Sequence, residues 1–203
     1  MTGLQKIILA SQSPRRSQLL QWAEVPFEVM VSNTEELVPA GLPLQDVPIA
    51  IAREKALAVA QRLNGATTLG AHLPLMPPIL AADTIVVLDH RIIGKPTDKA
   101  DAMSILSSLS GKTHTVITGV VILHQGGEVA FSEATDVTFH ALTQEQIEFY
   151  VESYKPYDKA GSYAIQEWIG VVGIKAIAGD FYTVMGLPVS RVVMALKRIA
   201  ESH

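Results

Sequence analysis

The run "KIILASQSPRRSQLLQW", residues 6–22, sets the first constraint on the fold. A strand-length apolar stretch stops at two serines, a proline and two adjacent arginines, and a second apolar pattern then begins. Pro14 stands where the first turn of a helix tolerates a residue without an N–H. Residues 5–10 are therefore expected as a buried strand and residues 15–23 as a helix with Ser13 as N-cap. A strand that feeds a helix through so short a turn points backbone N–H groups outward, which suits an anion. The first 23 residues hold Lys6, Arg15 and Arg16 but no Asp or Glu to neutralise them.

The same alternation continues along the 203 residues. Residues 27–31 read as a second strand, and the alanine-rich stretch from Asp46 to Leu63 as a helix. Residues 64–78 form a long connection with three prolines. "ILAADTIVVLDHRIIGKP" reads as a long strand, a turn at Asp89–His90 and a short return strand. Residues 98–109 fit a helix capped by Asp98. "HQGGE" marks a hairpin between two long apolar or alternating runs. Thr143 and Gln146 form a capping-box pair opening a helix to about Ser153. In the tail, "VVGIKAI" and "FYTVM" read as short strands, and a helix follows from about Pro188. There is no internal repeat. The order predicts an α/β fold with a mixed β-sheet flanked by helices, organised as one large or two small lobes.

Composition narrows the function. A hydrophobic share of 48% is ample for a core, and 18% charged residues is too little for a disordered chain. A net charge of −4 argues against a nucleic-acid polymer as partner, so any anion site is local. The absence of cysteine removes disulfides, thiolate nucleophiles and Cys-based zinc sites. It suits the cytoplasm, as does an N-terminus without a signal-peptide h-region. Runs such as "TIVVL" are far short of a membrane span.

Polar residues inside apolar surroundings mark the chemistry. Asp83 interrupts "ILAADTIVVL", where a carboxylate is costly to bury unless it is paired or metal-bound. Read blandly it caps a strand end; read sharply it is a metal ligand or general base. Lys95, held between Gly94 and Pro96, could pair with it or grip a phosphate. Glu35–Glu36, otherwise a solvated loop, could join Asp83 on a hard cation that also takes phosphate oxygens. Arg53 and Lys55 stand out on a mostly apolar helix, and their spacing lets only one of them reach a site. "DKAGSYAIQ", residues 158–166, gathers Asp158, Lys159 and Gln166 beside glycine and tyrosines. The six histidines lack metal-ligand spacing and read as structural or surface residues. Neither a Walker A loop nor a G-x-S-x-G elbow is present. Several cations, some carboxylates and no nucleophile suit metal-assisted hydrolysis of a phosphoanhydride by water.

"LASQSPRRSQLL", "REKA", "ADTIVVLD", "GKP", "LSGKTHTVITGV", "DKAGSYAIQ" and "VMGLP" together resemble the Maf family of nucleoside triphosphate pyrophosphatases, in that family's order and over nearly the whole chain. The resemblance implies a single Maf-like domain over 1–203, with an elongated mixed sheet, two lobes and a central cleft as in ITPase-like folds. It implies cleavage between the α- and β-phosphates with a divalent metal, Mg²⁺ or Mn²⁺, and homodimers are common in the family. By motif, Asp83 falls on the catalytic aspartate and, with Glu35, near the metal. Ser11, Arg15, Arg16, Lys55 and Lys95 fall where the phosphates are bound. Arg15, Thr84 and Gln166 match the branch acting on dTTP and UTP rather than the one acting on 7-methyl-GTP. A glutamine amide both donates and accepts, as a pyrimidine edge requires.

Three departures stand out. "AAD" replaces the usual Gly-Ala-Asp, Glu167–Trp168 follow Gln166 where Gly is common and can narrow the base pocket, and the 64–78 connection is long. Two other readings stay open: a nucleotide-binding regulator of cell division that has lost hydrolysis, and a pyrophosphatase of modified pyrimidine nucleotides.

Overall fold

A computed structural model describes residues 4–31, 41–65 and 76–201. Among them, β1 (Ile7–Leu9), β2 (Phe27–Val29), β3 (Ile79–Leu88), β4 (Arg91–Ile93), β5 (Thr113–His124), β6 (Gly127–Phe139) and β7 (Ile174–Ala178) form one seven-stranded sheet. Its order is β2-β1-β3-β5-β6-β7, with β4 paired to β3. β1 runs parallel to both β2 and β3, while β3–β4 and β6–β7 are antiparallel. The α/β class and the mixed sheet are those read from the sequence. The helices are α1 (Pro14–Trp22), α2 (Val47–Gly65), α3 (Lys99–Leu109), α4 (Gln144–Tyr154), α5 (Trp168–Gly173), α6 (Phe181–Met185) and α7 (Val189–Glu201).

The described residues divide into two compact units. The first comprises residues 1–83, 118–133 and 186–203. Its core is α2 laid on β1, β3 and β5: Ala52, Ala56 and Val59 pack on Ile8, Ala10, Ile79, Ala81 and Val121. The spacing i, i+4, i+7 gives α2 one buried stripe, and its small side chains let the helix come close. Gly119 on β5 is part of that approach, because a Cβ there would lie 2.3 Å from the Ile49 backbone nitrogen.

The second unit comprises residues 84–117 and 134–185. Val86, Val116 and Val137 form a core joined by Ile93, Ala160, Ile174 and Val184. α3 starts as read, with the Asp98 side chain accepting from Asp101 N, and α4 carries the full Thr143–Gln146 capping box. The β3–β4 turn places Asp89 and His90 at φ 49° and 63°, the left-handed pair that a two-residue hairpin requires.

Three local expectations change. "FYTVM" is helix α6, not a strand: Asp180 accepts from both the amide and the hydroxyl of Thr183 and caps a turn that strand propensity alone would not form. The "VVG" of "VVGIKAI" ends α5, and only Ile174–Ala178 are strand. Ser13 occupies the N-cap of α1 but its side chain makes no capping bond; its amide donates instead to Ser11 Oγ at 3.2 Å. Residues 66–75 of the long connection lie outside the described residues.

His114 is buried in the second unit, stacked on Phe139 at 5.4 Å between ring centroids. Its Nε2 shares a 2.7 Å hydrogen bond with the Tyr163 hydroxyl. Burial lowers its pKa from 6.5 to about 4, against a weaker opposing pull from Asp136. The folded ring stays neutral while the unfolded chain takes up a proton, so stability falls as pH drops from 6.5 to about 4. The loss across that window is about 3 kcal/mol, and above it the effect vanishes. Urea midpoints measured from pH 7.5 to 4.5 should decline more steeply in the parent than in His114→Gln; parallel declines would refute the assignment.

Candidate active site

The order β2-β1-β3 makes β1 a switch point. The chain leaves β1 through α1 to β2 on one side, and returns through α2 to β3 on the other. In parallel sheets the crevice beyond the carboxyl ends of such strands is where ligands bind. Ile8 and Leu9 pair with Ile79 and Leu80, and the Ala10 amide donates to Leu80 O at 2.8 Å. Three residues past that last register pair, β3 has reached Asp83 and the β1 side has entered the turn Ser11–Ser13. The opening motif, just past the carboxyl end of β1, thus lies level with the buried aspartate midway along β3.

Asp83 is 8% exposed and so is Lys55, whose Nζ lies 2.7 Å from Asp83 Oδ1. α2 positions the lysine, and its alanine stripe brings it onto the sheet. Of the two cations singled out on this helix, Lys55 therefore reaches the aspartate, while Arg53 turns outward to pair with both carboxylate oxygens of Glu128. Arg16 is equally buried. Its Nη1 donates to Ser11 Oγ at 3.0 Å and its Nε to the Gly186 carbonyl at 2.8 Å. Gly186 has φ +114°, a backbone that other residues rarely adopt. Arg16 thus locks the turn after β1 onto the "VMGLP" segment, a tie across 170 residues that sequence spacing does not reveal. Arg15, next on α1, is half-buried.

The other candidate residues belong to the second unit. Thr84 is half-buried on β3. Lys95 is exposed, just past β4, and the Gly94 carbonyl before it accepts from Gly161 N at 3.1 Å. Gly161 has φ +71°, and a Cβ there would lie 3.0 Å from a methyl of Val86. Gln166 is exposed in the turn leading into α5. Glu167 does not spread into the space beside it: its carboxylate accepts from the Tyr150 hydroxyl and lies 3.6 Å from Lys159 Nζ. Trp168 packs on Phe149, with ring centroids 4.8 Å apart. Tyr150 went unnoticed in the sequence; the available signal was a tyrosine at a core-facing position of α4, where a buried hydroxyl needs a partner. Glu35 lies outside the described residues, and among those residues no cluster of three or more His, Cys, Asp or Glu could hold a metal.

Removing one member of a buried ion pair strands the other charge, at a cost of about 3–5 kcal/mol. Lys55→Ala should therefore destabilise the protein by about that amount. Lys55→Ala combined with Asp83→Ala should recover a large part of the loss. Chemical denaturation of the two single variants and the double variant measures the coupling, and additive effects would contradict the pair.

Comparison with known proteins identifies the family. The family model described as "Maf-like protein" matches residues 6–199. A protein of Bacillus mycoides (strain KBAB4) named dTTP/UTP pyrophosphatase is 47% identical over 195 residues, covering 96% of each chain. One of the same name from Porphyromonas gingivalis (strain ATCC BAA-308 / W83) is 45% identical over 201 residues, covering 98% of this chain and 96% of that protein. Ser11, Arg16, Lys55 and Asp83 all lie within the matched span, and the chain belongs to the Maf family.

Proposed function

We propose that this chain hydrolyses dTTP and UTP to the nucleoside monophosphate and pyrophosphate. The observation that carries the reading is the buried Lys55–Asp83 pair midway along β3, three residues past its last register pair with β1 and level with the Ser-Gln-Ser-Pro-Arg-Arg turn after β1. Close relatives bearing the name dTTP/UTP pyrophosphatase support the substrate class.

In this reading a water oxygen attacks the α-phosphorus and the bond to the bridging oxygen breaks. Pyrophosphate leaves with that oxygen, and the water proton passes to Asp83. Ser11, Arg15, Arg16 and Lys55 offset the charge that spreads over the phosphate oxygens, and Lys95 has the same role. Lys55 has two tasks, since the cation that balances Asp83 is also available to a phosphate. Arg15, Thr84 and Gln166 select the base, with the exposed Gln166 amide offering a donor and an acceptor to the pyrimidine edge.

A divalent cation, Mg²⁺ or Mn²⁺, belongs to the proposal. Asp83 fits it as a hard oxygen donor in a site where phosphate oxygens and waters would complete the shell. Glu35 is assigned beside it from its motif. When bound, the cation would withdraw charge from the phosphates and favour deprotonation of the water. A cytoplasmic homodimer completes the proposal.

Incubation with dTTP or UTP and Mg²⁺ should release pyrophosphate and no orthophosphate. In ¹⁸O-labelled water the label should enter the monophosphate. Asp83→Asn should lower kcat by about 10²–10⁴, the range for loss of a positioned base. Binding of both nucleotides without turnover under either metal would favour the regulatory reading. Faster cleavage of a modified pyrimidine triphosphate would favour the third.

A further inference from the structure

The segment Ala164–Glu167 is a four-residue turn closed by the Glu167 amide donating to the Ala164 carbonyl at 3.1 Å. Gln166 sits at its third position with its side chain exposed, and Ile165 before it is buried. The hydroxyl of Tyr150, a fully buried residue of α4, is bonded to both ends of this turn. It accepts from the Ala164 amide at 3.2 Å and donates to the Glu167 carboxylate.

Glu167 stands at the N-cap position of α5, yet its side chain makes no bond to its own helix. It is drawn toward Tyr150 and toward Lys159, which is itself buried and held at 2.7 Å by Asp158. The floor of the turn is equally constrained. A Cβ on Gly170 would lie 1.8 Å from the Ile165 carbonyl oxygen, so only glycine lets α5 press against the turn. A core tyrosine, a carboxylate, a buried lysine and a close glycine contact all converge on the backbone carrying one exposed amide.

We propose that Tyr150 and Glu167 are positioning residues for base selection: together they fix the turn bearing Gln166, so the preference for uracil and thymine depends on two side chains that do not touch the base. The inference rests on the pyrophosphatase reading and on Gln166 meeting the base within it. A hydrogen-bonding side chain discriminates only if its carrier is held to a fraction of an ångström. A glutamine on a loosened turn re-pairs with the wrong edge at little cost.

The test is steady-state kinetics with UTP, dTTP and CTP on the parent, Tyr150→Phe, Glu167→Ala and Glu167→Gln, with rates referred to the folded fraction. Tyr150→Phe keeps the ring and removes the staple. It should raise KM for UTP and dTTP about tenfold, the effect of one well-placed hydrogen bond, with kcat little changed. The preference for UTP over CTP should shrink by a similar factor. Glu167→Ala should do the same, and it serves where the Tyr150 variant folds poorly. Glu167→Gln still accepts from the Tyr150 hydroxyl and should restore most of the preference. A merely structural role would lower kcat for all three nucleotides together and leave KM and preference unmoved; that result overturns the inference. If the parent releases no pyrophosphate, the pyrophosphatase reading fails by itself. Calorimetric binding of α,β-methylene-UTP then makes the same comparison: a Kd weakened about tenfold by Tyr150→Phe supports the positioning role. An unchanged Kd, or no uridine binding by the parent, refutes it.

Discussion

Burying the Asp83 carboxylate within β3 is the constraint from which much of the first unit follows. The strand is almost wholly buried along its ten residues, so water solvates the charge only in small part. Lys55 neutralises it, but only if α2 lies close enough for its side chain to reach. That closeness needs the small residues Ala52 and Ala56 on the helix and the bare backbone of Gly119 on the sheet. A buried ion pair is not a cheap way to stabilise a fold, because well-packed apolar residues of similar volume do as well or better. A pair kept here at that cost is what the proposed chemistry would call for.

The second unit meets a different demand with similar means. It must hold exposed side chains, Lys95 and Gln166, on segments that are not themselves regular strands or helices. It does so by tying backbone to buried polar groups and to glycines that admit close contact. Gly161 bonds the carbonyl before Lys95 and rests on Val86; Gly170 lies under the turn of Gln166. Loops fixed in this way behave more like the rigid elements on which precise sites are built.

Much of this was legible because the signals were local. Pro14 at a helix start, Asp98 and Thr143 as caps, the Asp89–His90 turn and the alanine stripe of α2 each act over a few residues, and the elements form where they predict. α6 was misread because aromatic and β-branched residues say strand while a single Asp180 cap decides otherwise. Asp83 could be singled out by its apolar surroundings, but the choice among its partners could not be made from sequence. Arg53 and Lys55 project roughly 200° apart on α2, and only the docking of that helix settles which one faces β3. The Arg16–Gly186 tie and the Tyr150 staple join segments far apart in the chain or hidden in a core, where no local pattern announces them.

Arg16 shows why such ties matter for the turn after β1. A flexible arginine would lose rotamer freedom on gripping an anion, and that loss would subtract from affinity. Here two guanidinium nitrogens are already bonded, one to Ser11 and one to Gly186, and the side chain is buried. Its plane is fixed by folding instead of by ligand, so the ordering cost is met in advance. The same bonds hold Ser11 in place and, through the Ser13 amide, set the entry into α1. Positive charge and hydroxyl are therefore preorganised as one piece, which in the proposed reaction is the condition under which electrostatic stabilisation of a developing phosphate charge is strongest.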